Sequence, residues 1–207
     1  RWTVHKTADS KLTLAGELVA ITGTTTQSRS ENAEVLDLRQ LGFVGKVNYR
    51  IGRFGLLFDG GFASGDQNPY DQTLNNFRFD SNYKVGLVLF DQVLGYQTAR
   101  SGWRAADPLL AGVPPEGIDL LPSAGAITGA WFLFPKVRYS FADWVDLYGG
   151  PLFAFTTAQL TDPFNTRING GTPVNYLGGT PGNYLGTELD LGLSVHGAIN
   201  EYLKISA

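Results

Sequence analysis

Apolar and polar residues alternate along much of this chain, most plainly from Leu41 to Asp66. Leu41, Phe43, Gly45, Val47, Tyr49 and Ile51 share one parity, while Gly42, Val44, Lys46, Asn48 and Arg50 take the other. Gly52 and Arg53 interrupt the pattern. Beyond them Phe54, Leu56, Phe58, Gly60 and Phe62 alternate with Leu57, Asp59 and Ala63. A period of two predicts a hairpin of extended strands with one apolar and one charged face.

The same pattern predicts further strands in order. Arg1 to Thr7 reads as the tail of a strand, with Trp2 and Val4 on one face. A turn at Ala8, Asp9 and Ser10 leads to a strand over 11–23. There Leu12, Leu14, Gly16, Leu18 and Ala20 oppose Thr13 and Glu17. Gly129 to Tyr139 resumes the alternation, turns at Phe141 to Asp143, and returns from Val145 to Phe155. Pro135 and Pro151 predict bulges or breaks, because proline cannot donate to a ladder. From Leu185 to Val195, Leu185, Thr187, Leu189, Leu191 and Leu193 alternate with Gly186, Glu188, Asp190, Gly192 and Ser194, and a last strand starts at Tyr202.

The connections alternate strictly between short turns (8–10, 52–53, 141–143, 199–201) and long loops (24–36, 64–126, 158–183). Short turns at one rim and long loops at the other suit an antiparallel transmembrane β-barrel with short periplasmic turns and long extracellular loops. A soluble sandwich has no reason for that asymmetry, although it predicts the same segregation of charge. The whole of 1–207 then reads as a single barrel domain, and as a segment of a larger barrel lacking strands at both ends. Loop 64–126 would be extracellular or inserted into the lumen, and 158–183 a second extracellular loop. The apolar piece from Tyr83 to Tyr96 predicts a short helix, with Val85, Leu89, Val93 and Tyr96 at helical spacing, or an extra strand. It would plug the lumen or lie over the rim as a lid.

Composition narrows the picture. The 207 residues contain no Cys, 26 Gly and 13% aromatics, and no apolar run approaches the roughly 18 residues of a membrane helix. A net charge of −3 argues against a nucleic-acid partner. The barrel reading places the chain in the outer membrane of a Gram-negative bacterium. Its expected partners are outer-membrane lipid and lipopolysaccharide, a hydrophilic solute, and other outer-membrane or periplasmic proteins. No cofactor is expected.

The stretch Gly61-Phe-Ala-Ser-Gly-Asp66, with Asn68-Pro69, Asp71 and Asn75-Asn-Phe-Arg-Phe-Asp80, resembles the alginate-export-like outer-membrane barrels. In that family such an element ends a strand before a long extracellular loop. Tyr83-Lys-Val-Gly-Leu-Val-Leu-Phe90 and Val93-Leu94-Gly95 look closer to uncharacterised barrels of myxobacterial type. The resemblance implies passive passage of a solute, including an anionic polysaccharide, through a wide lumen. The alginate exporter itself has a strongly arginine-rich lumen, unlike the balance here.

Nine charged residues are expected to line the pore: Glu17, Lys46, Arg50, Asp59, Lys136, Arg138, Asp146, Glu188 and Asp190. They would set a transverse field or form a salt-bridge lattice inside a filled barrel. Phe132, Phe134 and Tyr148 on the same face favour filling, whereas Gly42, Gly55, Gly61 and Gly186 favour an open channel. Asp66, Asn68 and Asp71 are weak candidates for a Ca²⁺ site, since they present oxygens in a turn. His196 with Ser194 and Asp190 suggests a hydrolase, but residues two apart on a strand lie about 6–7 Å apart, beyond direct bonding. No catalytic role is therefore assigned. The function expected is a porin-like channel for small or oligomeric hydrophilic solutes. The alternative is a filled barrel anchoring a surface assembly.

Overall fold

Alternation becomes sheet almost residue for residue. The computed structural model describes residues 1–7, 9–26, 33–66, 71–94, 126–159, 168–170, 172–175, 178–200 and 203–206. The strands are β1 (Trp2–Lys6), β2 (Ser10–Thr25), β3 (Leu36–Ile51), β4 (Phe54–Ala63), β5 (Thr73–Leu74), β6 (Ala130–Ala142), β7 (Val145–Thr156), β8 (Tyr184–Asn200) and β9 (Leu203–Ser206). All but β5 hydrogen-bond in chain order as an antiparallel meander, with β1 and β9 as its edges, so the sheet is not closed. The short β5 lies parallel to the start of β3.

The predicted hairpin holds its register from Ile51↔Phe54 to Gly42↔Ala63, and Gly52 turns the chain with φ +53°. Pairing of β3 with β2 continues through Thr22↔Arg39 to Thr25↔Leu36. Pro135 and Pro151 do not introduce bulges. The β6–β7 pairing lapses between Leu133↔Phe153 and Val137↔Gly149 and resumes in the same register. The bulges lie elsewhere. One near Ala154 and Phe155 shifts the β8 register, so that Tyr184 opposes Phe155 and Gly186 opposes Ala154. Tyr184 therefore joins Phe155 on the apolar face, with ring centroids 5.4 Å apart. Leu185, expected on that face, packs against the buried cluster on the other.

The two faces are inverted relative to a water-soluble sheet. Large apolar side chains are exposed on the first face, among them Leu18 at 68%, Leu189 at 78% and Leu191 at 74%. Among the described residues no second sheet covers them. On the opposite face Val85, Phe90, Ile127, Ala130, Phe132, Phe134, Leu152 and Ala154 form the hydrophobic core, with Phe79, Tyr83 and Leu89 against it. The core thus lies between the charge-bearing face and the segments 77–90 and 126–128. Each large side chain buried there contributes roughly 1.5–3 kcal/mol. Of the piece from Tyr83 to Tyr96, Leu89–Leu94 is a single π-helical segment rather than a strand, and Tyr96 lies outside the described residues.

Candidate functional site

The register places the nine candidate charges on one face of the sheet. Lys46 stands directly opposite Asp59, and Arg50 opposite Gly55, which is itself opposite Arg138. Glu17 pairs with Val44, Glu188 with Leu152 and Asp190 with Gly150. Near the middle of the face, Lys136 Nζ donates to Asp59 Oδ2 at 2.7 Å, with both side chains four-fifths shielded from solvent. Lys46 Nζ sits 5.3 Å from the Tyr83 ring centroid, and Lys136 Nζ is 4.2 Å from that of Phe134. Burial, with the Asp59 charge adding to it, pushes the Tyr83 phenol up to about 12. The phenol is therefore neutral wherever the protein works.

Asp146 is the second centre. Its buried carboxylate takes Arg138 on Oδ2, the Ser140 hydroxyl on Oδ1 at 2.5 Å, and His196 Nε2 on Oδ2 at 2.9 Å. Two sequence expectations change here. Ser194 Oγ does come within 3.5 Å of His196 Nε2, closer than residues two apart on a strand were expected to approach, and the acidic partner of His196 is Asp146 rather than Asp190. Both oxygens, however, approach the same ring nitrogen. A triad needs the acid on one nitrogen and the nucleophile on the other, so the arrangement is an ion-pair hub.

The third centre joins the wall to the folded segment. Glu188 Oε1 accepts the backbone N–H groups of Leu87 at 2.7 Å and Val88 at 3.0 Å, and its Oε2 accepts that of Leu89 at 2.7 Å. These amides open the helical turn and carry the positive end of its dipole, where a carboxylate is most stabilising. Gly86 allows the approach. It has φ +71°, and a Cβ there would stand 2.8 Å from Glu188 Oε2 and 2.7 Å from Leu152 Cδ2.

Among the described residues, two of the clefts lie beside these centres. One of about 390 Å³ lies between β2–β3 and the folded segment, and its lining includes Glu17, Lys46, Phe79, Asp80 and Tyr83. The other, of about 180 Å³, lies at the short-turn end. Comparison with known protein families, curated proteins and solved structures finds no match.

Three of the four glycines expected to leave the charged face open are occupied instead. A Cβ on Gly42 would stand 2.1 Å from the Phe77 ring, one on Gly61 2.4 Å from Phe132, and one on Gly186 3.0 Å from Leu89. On Gly55 it would meet Arg138 at 3.4 Å. Gly42, Gly61 and Gly186 are sockets for neighbouring side chains, whereas Gly55 has room for a Cβ in ordinary contact.

The weak metal candidates fold the loop. Asp71 Oδ1 accepts the Thr73 N–H and hydroxyl, both at 2.8 Å, and Asp66 Oδ2 accepts the Asn75 N–H at 3.1 Å. Asn68 lies outside the described residues. Among the described residues no three His, Asp or Glu groups gather for a metal. Ser64, overlooked in the sequence, clamps the same loop: its hydroxyl donates to Asn75 O at 2.5 Å and accepts the Leu41 N–H at 3.0 Å. Its place in Ala63-Ser-Gly-Asp66 is the only sequence signal it gave.

Proposed function

We propose that the chain forms the wall of an outer-membrane β-barrel for passive passage of small or oligomeric hydrophilic solutes, narrowed by the folded segment 77–90. The observation that carries this reading is the inversion of the sheet. Its exposed face bears Leu18, Phe43, Val47, Leu56, Val137, Leu189, Leu191 and Leu193, while its charges lie on the opposite face. Water disfavours such a contiguous apolar surface and lipid favours it. Charge on the apolar face occurs near the long-loop end, where Asp37 and Arg39 pair at 3.8 Å. That position suits an interfacial or extracellular rim. The mixed charges of the other face would then line a lumen and act on solutes.

Membership of the alginate-export-like barrels belongs to the same proposal. It rests on the element from Gly61 to Asp80, in which Ser64, Asp66 and Asp71 fold the loop behind β4. Four basic and five acidic residues among the nine favour an uncharged or mixed solute over an anionic polymer.

One observation favours the second reading, a filled barrel anchoring a surface assembly. Phe132, Phe134 and Phe90 pack tightly over the charged face, and Glu188 fixes the segment to the wall. Single-channel recording of the full-length protein, refolded into a planar bilayer, separates the two. Stable conductance steps are expected. Silence from protein shown to be folded would overturn the channel and leave the anchor.

A further inference from the structure

The cations at the short-turn end fall into one row. Lys6 stands directly opposite Lys11, Lys11 opposite Arg50, Arg50 opposite Gly55, and Gly55 opposite Arg138. Side chains directly opposed on adjacent strands lie about 5 Å apart at Cβ, and like charges so placed repel. The sheet nevertheless sets two such pairs in succession, Lys6 with Lys11 and Lys11 with Arg50. Among the described residues no carboxylate pairs with any of these three, and only Arg138 is matched, by Asp146. Arg50 spends one donor on Gly52 O at 3.3 Å, and Arg53 one on Phe141 O at 3.1 Å.

The cleft of about 180 Å³ opens on this row. Arg1, Lys11, Arg50, Arg53 and Arg138 all line it, together with Asn48 and no carboxylate. Gly55 places no side chain between Arg50 and Arg138, its nearest neighbour being Arg138 Cβ, 3.4 Å from where a Cβ would stand. Guanidinium forks match the paired oxygens of phosphate and carboxylate, and lysines add point charge.

We infer that this row is a binding site for an oxyanion, the phosphate or carboxylate group of a solute, held between Lys11, Arg50 and Arg53 at the short-turn rim. The inference rests on the channel reading for the origin of the solute, but binding itself needs no conductance. The anion relieves the repulsion along the row. The unoccupied row itself makes the rim locally cationic, although charge along the rest of the face is mixed.

Calorimetry on the full-length protein folded in detergent tests this, with inorganic phosphate and acetate as probes and chloride at matched ionic strength as the screening control. Saturable phosphate binding is expected, at least tenfold weaker in the double variant Lys11→Gln/Arg50→Gln and unchanged in Arg39→Gln, which lies on the other face at the long-loop end. Acetate binding in parallel would extend the site to carboxylates, and phosphate binding alone would restrict it to phosphate. In phosphate-free buffer the double variant should unfold at the same or a higher temperature than the parent, since repulsion has been removed. No saturable binding, equal weakening by Arg39→Gln, or a double variant that fails to fold would each overturn the site. A silent bilayer with intact phosphate binding would sink the channel and leave the site standing.

Discussion

Glu188 in β8 holds the backbone N–H of Leu89 at 2.7 Å across 99 residues of sequence. With the amides of Leu87 and Val88 on the same carboxylate, this ties the wall to the helical end of the folded segment. Glu188→Gln keeps the shape and removes the charge. Bonds to a charged acceptor contribute roughly 1.5–3 kcal/mol each, so amide exchange at Leu87 to Leu89 should quicken about ten- to a hundredfold. Exchange in β3 should not change. Equal rates in parent and variant would show that the segment's other contacts hold it without the Glu188 charge.

The glycine sockets give a stability prediction. A Cβ on Gly61 would stand 2.4 Å from the Phe132 ring, which is fully buried. Gly61→Ala should destabilise the protein by about 1–3 kcal/mol, the range for overpacked cores. Adding Phe132→Leu should recover part of the loss. Urea unfolding of the single and double variants measures both.

Strand positions and faces were legible because side-chain parity depends only on local sequence. Within each strand parity groups the charges, and the pairing in register then brings Lys46, Asp59, Lys136 and Glu188 to one face. Lys11 and Lys6 carry the same signal, yet at strand ends they escaped the tally of pore charges. Three features were not legible. The β8 bulge changes parity with no proline or unusual residue to mark it beyond Gly186, so Leu185 changes face unannounced. The Glu188 contact joins residues far apart in sequence, and nothing local to Leu87–Leu89 requires it. The inward glycines misled for a related reason. A glycine records that something comes close or that nothing does, and only the neighbour, Phe77 or Phe132, decides which.

Alkaline pH should loosen the folded segment through Tyr83. Its phenol is pushed up to about 12 in the folded protein, above its ordinary value of 10.0. A raised folded-state pKa means that stability is fully present below pH 10 and is lost as pH rises toward 12. Near-ultraviolet circular dichroism should therefore report a transition in that window, and Tyr83→Phe should remove its Tyr83-dependent part. An identical transition in the variant would assign it to other groups.

Lys136 and Asp59 form an ion pair at 2.7 Å in the middle of the charged face. Asp59→Asn removes the carboxylate that Lys136 bonds and makes this part of the face more positive by one charge. Both side chains keep 20% exposure, so the cost should fall below the roughly 3–5 kcal/mol of breaking a fully buried pair. In a salt gradient the reversal potential of the variant should move toward anion selectivity. An unmoved potential would place the conducting path away from this pair.

Leu191 decides between lipid and water on the apolar face. It is 74% exposed, and its β7 partner is Gly149, which sets no side chain beside it. On a water-facing strand Leu191→Lys would change stability by no more than about 0.5 kcal/mol. Facing lipid near the bilayer midplane, the same substitution costs about 2–4 kcal/mol, and less toward the interfaces. Reversible unfolding from phospholipid vesicles should thus show a loss of about 2 kcal/mol or more. Leu191→Ala should lose less, because it removes apolar surface without bringing charge into hydrocarbon. If lysine and alanine prove equally mild in vesicles, the apolar face is not covered by lipid, and the membrane reading falls with it.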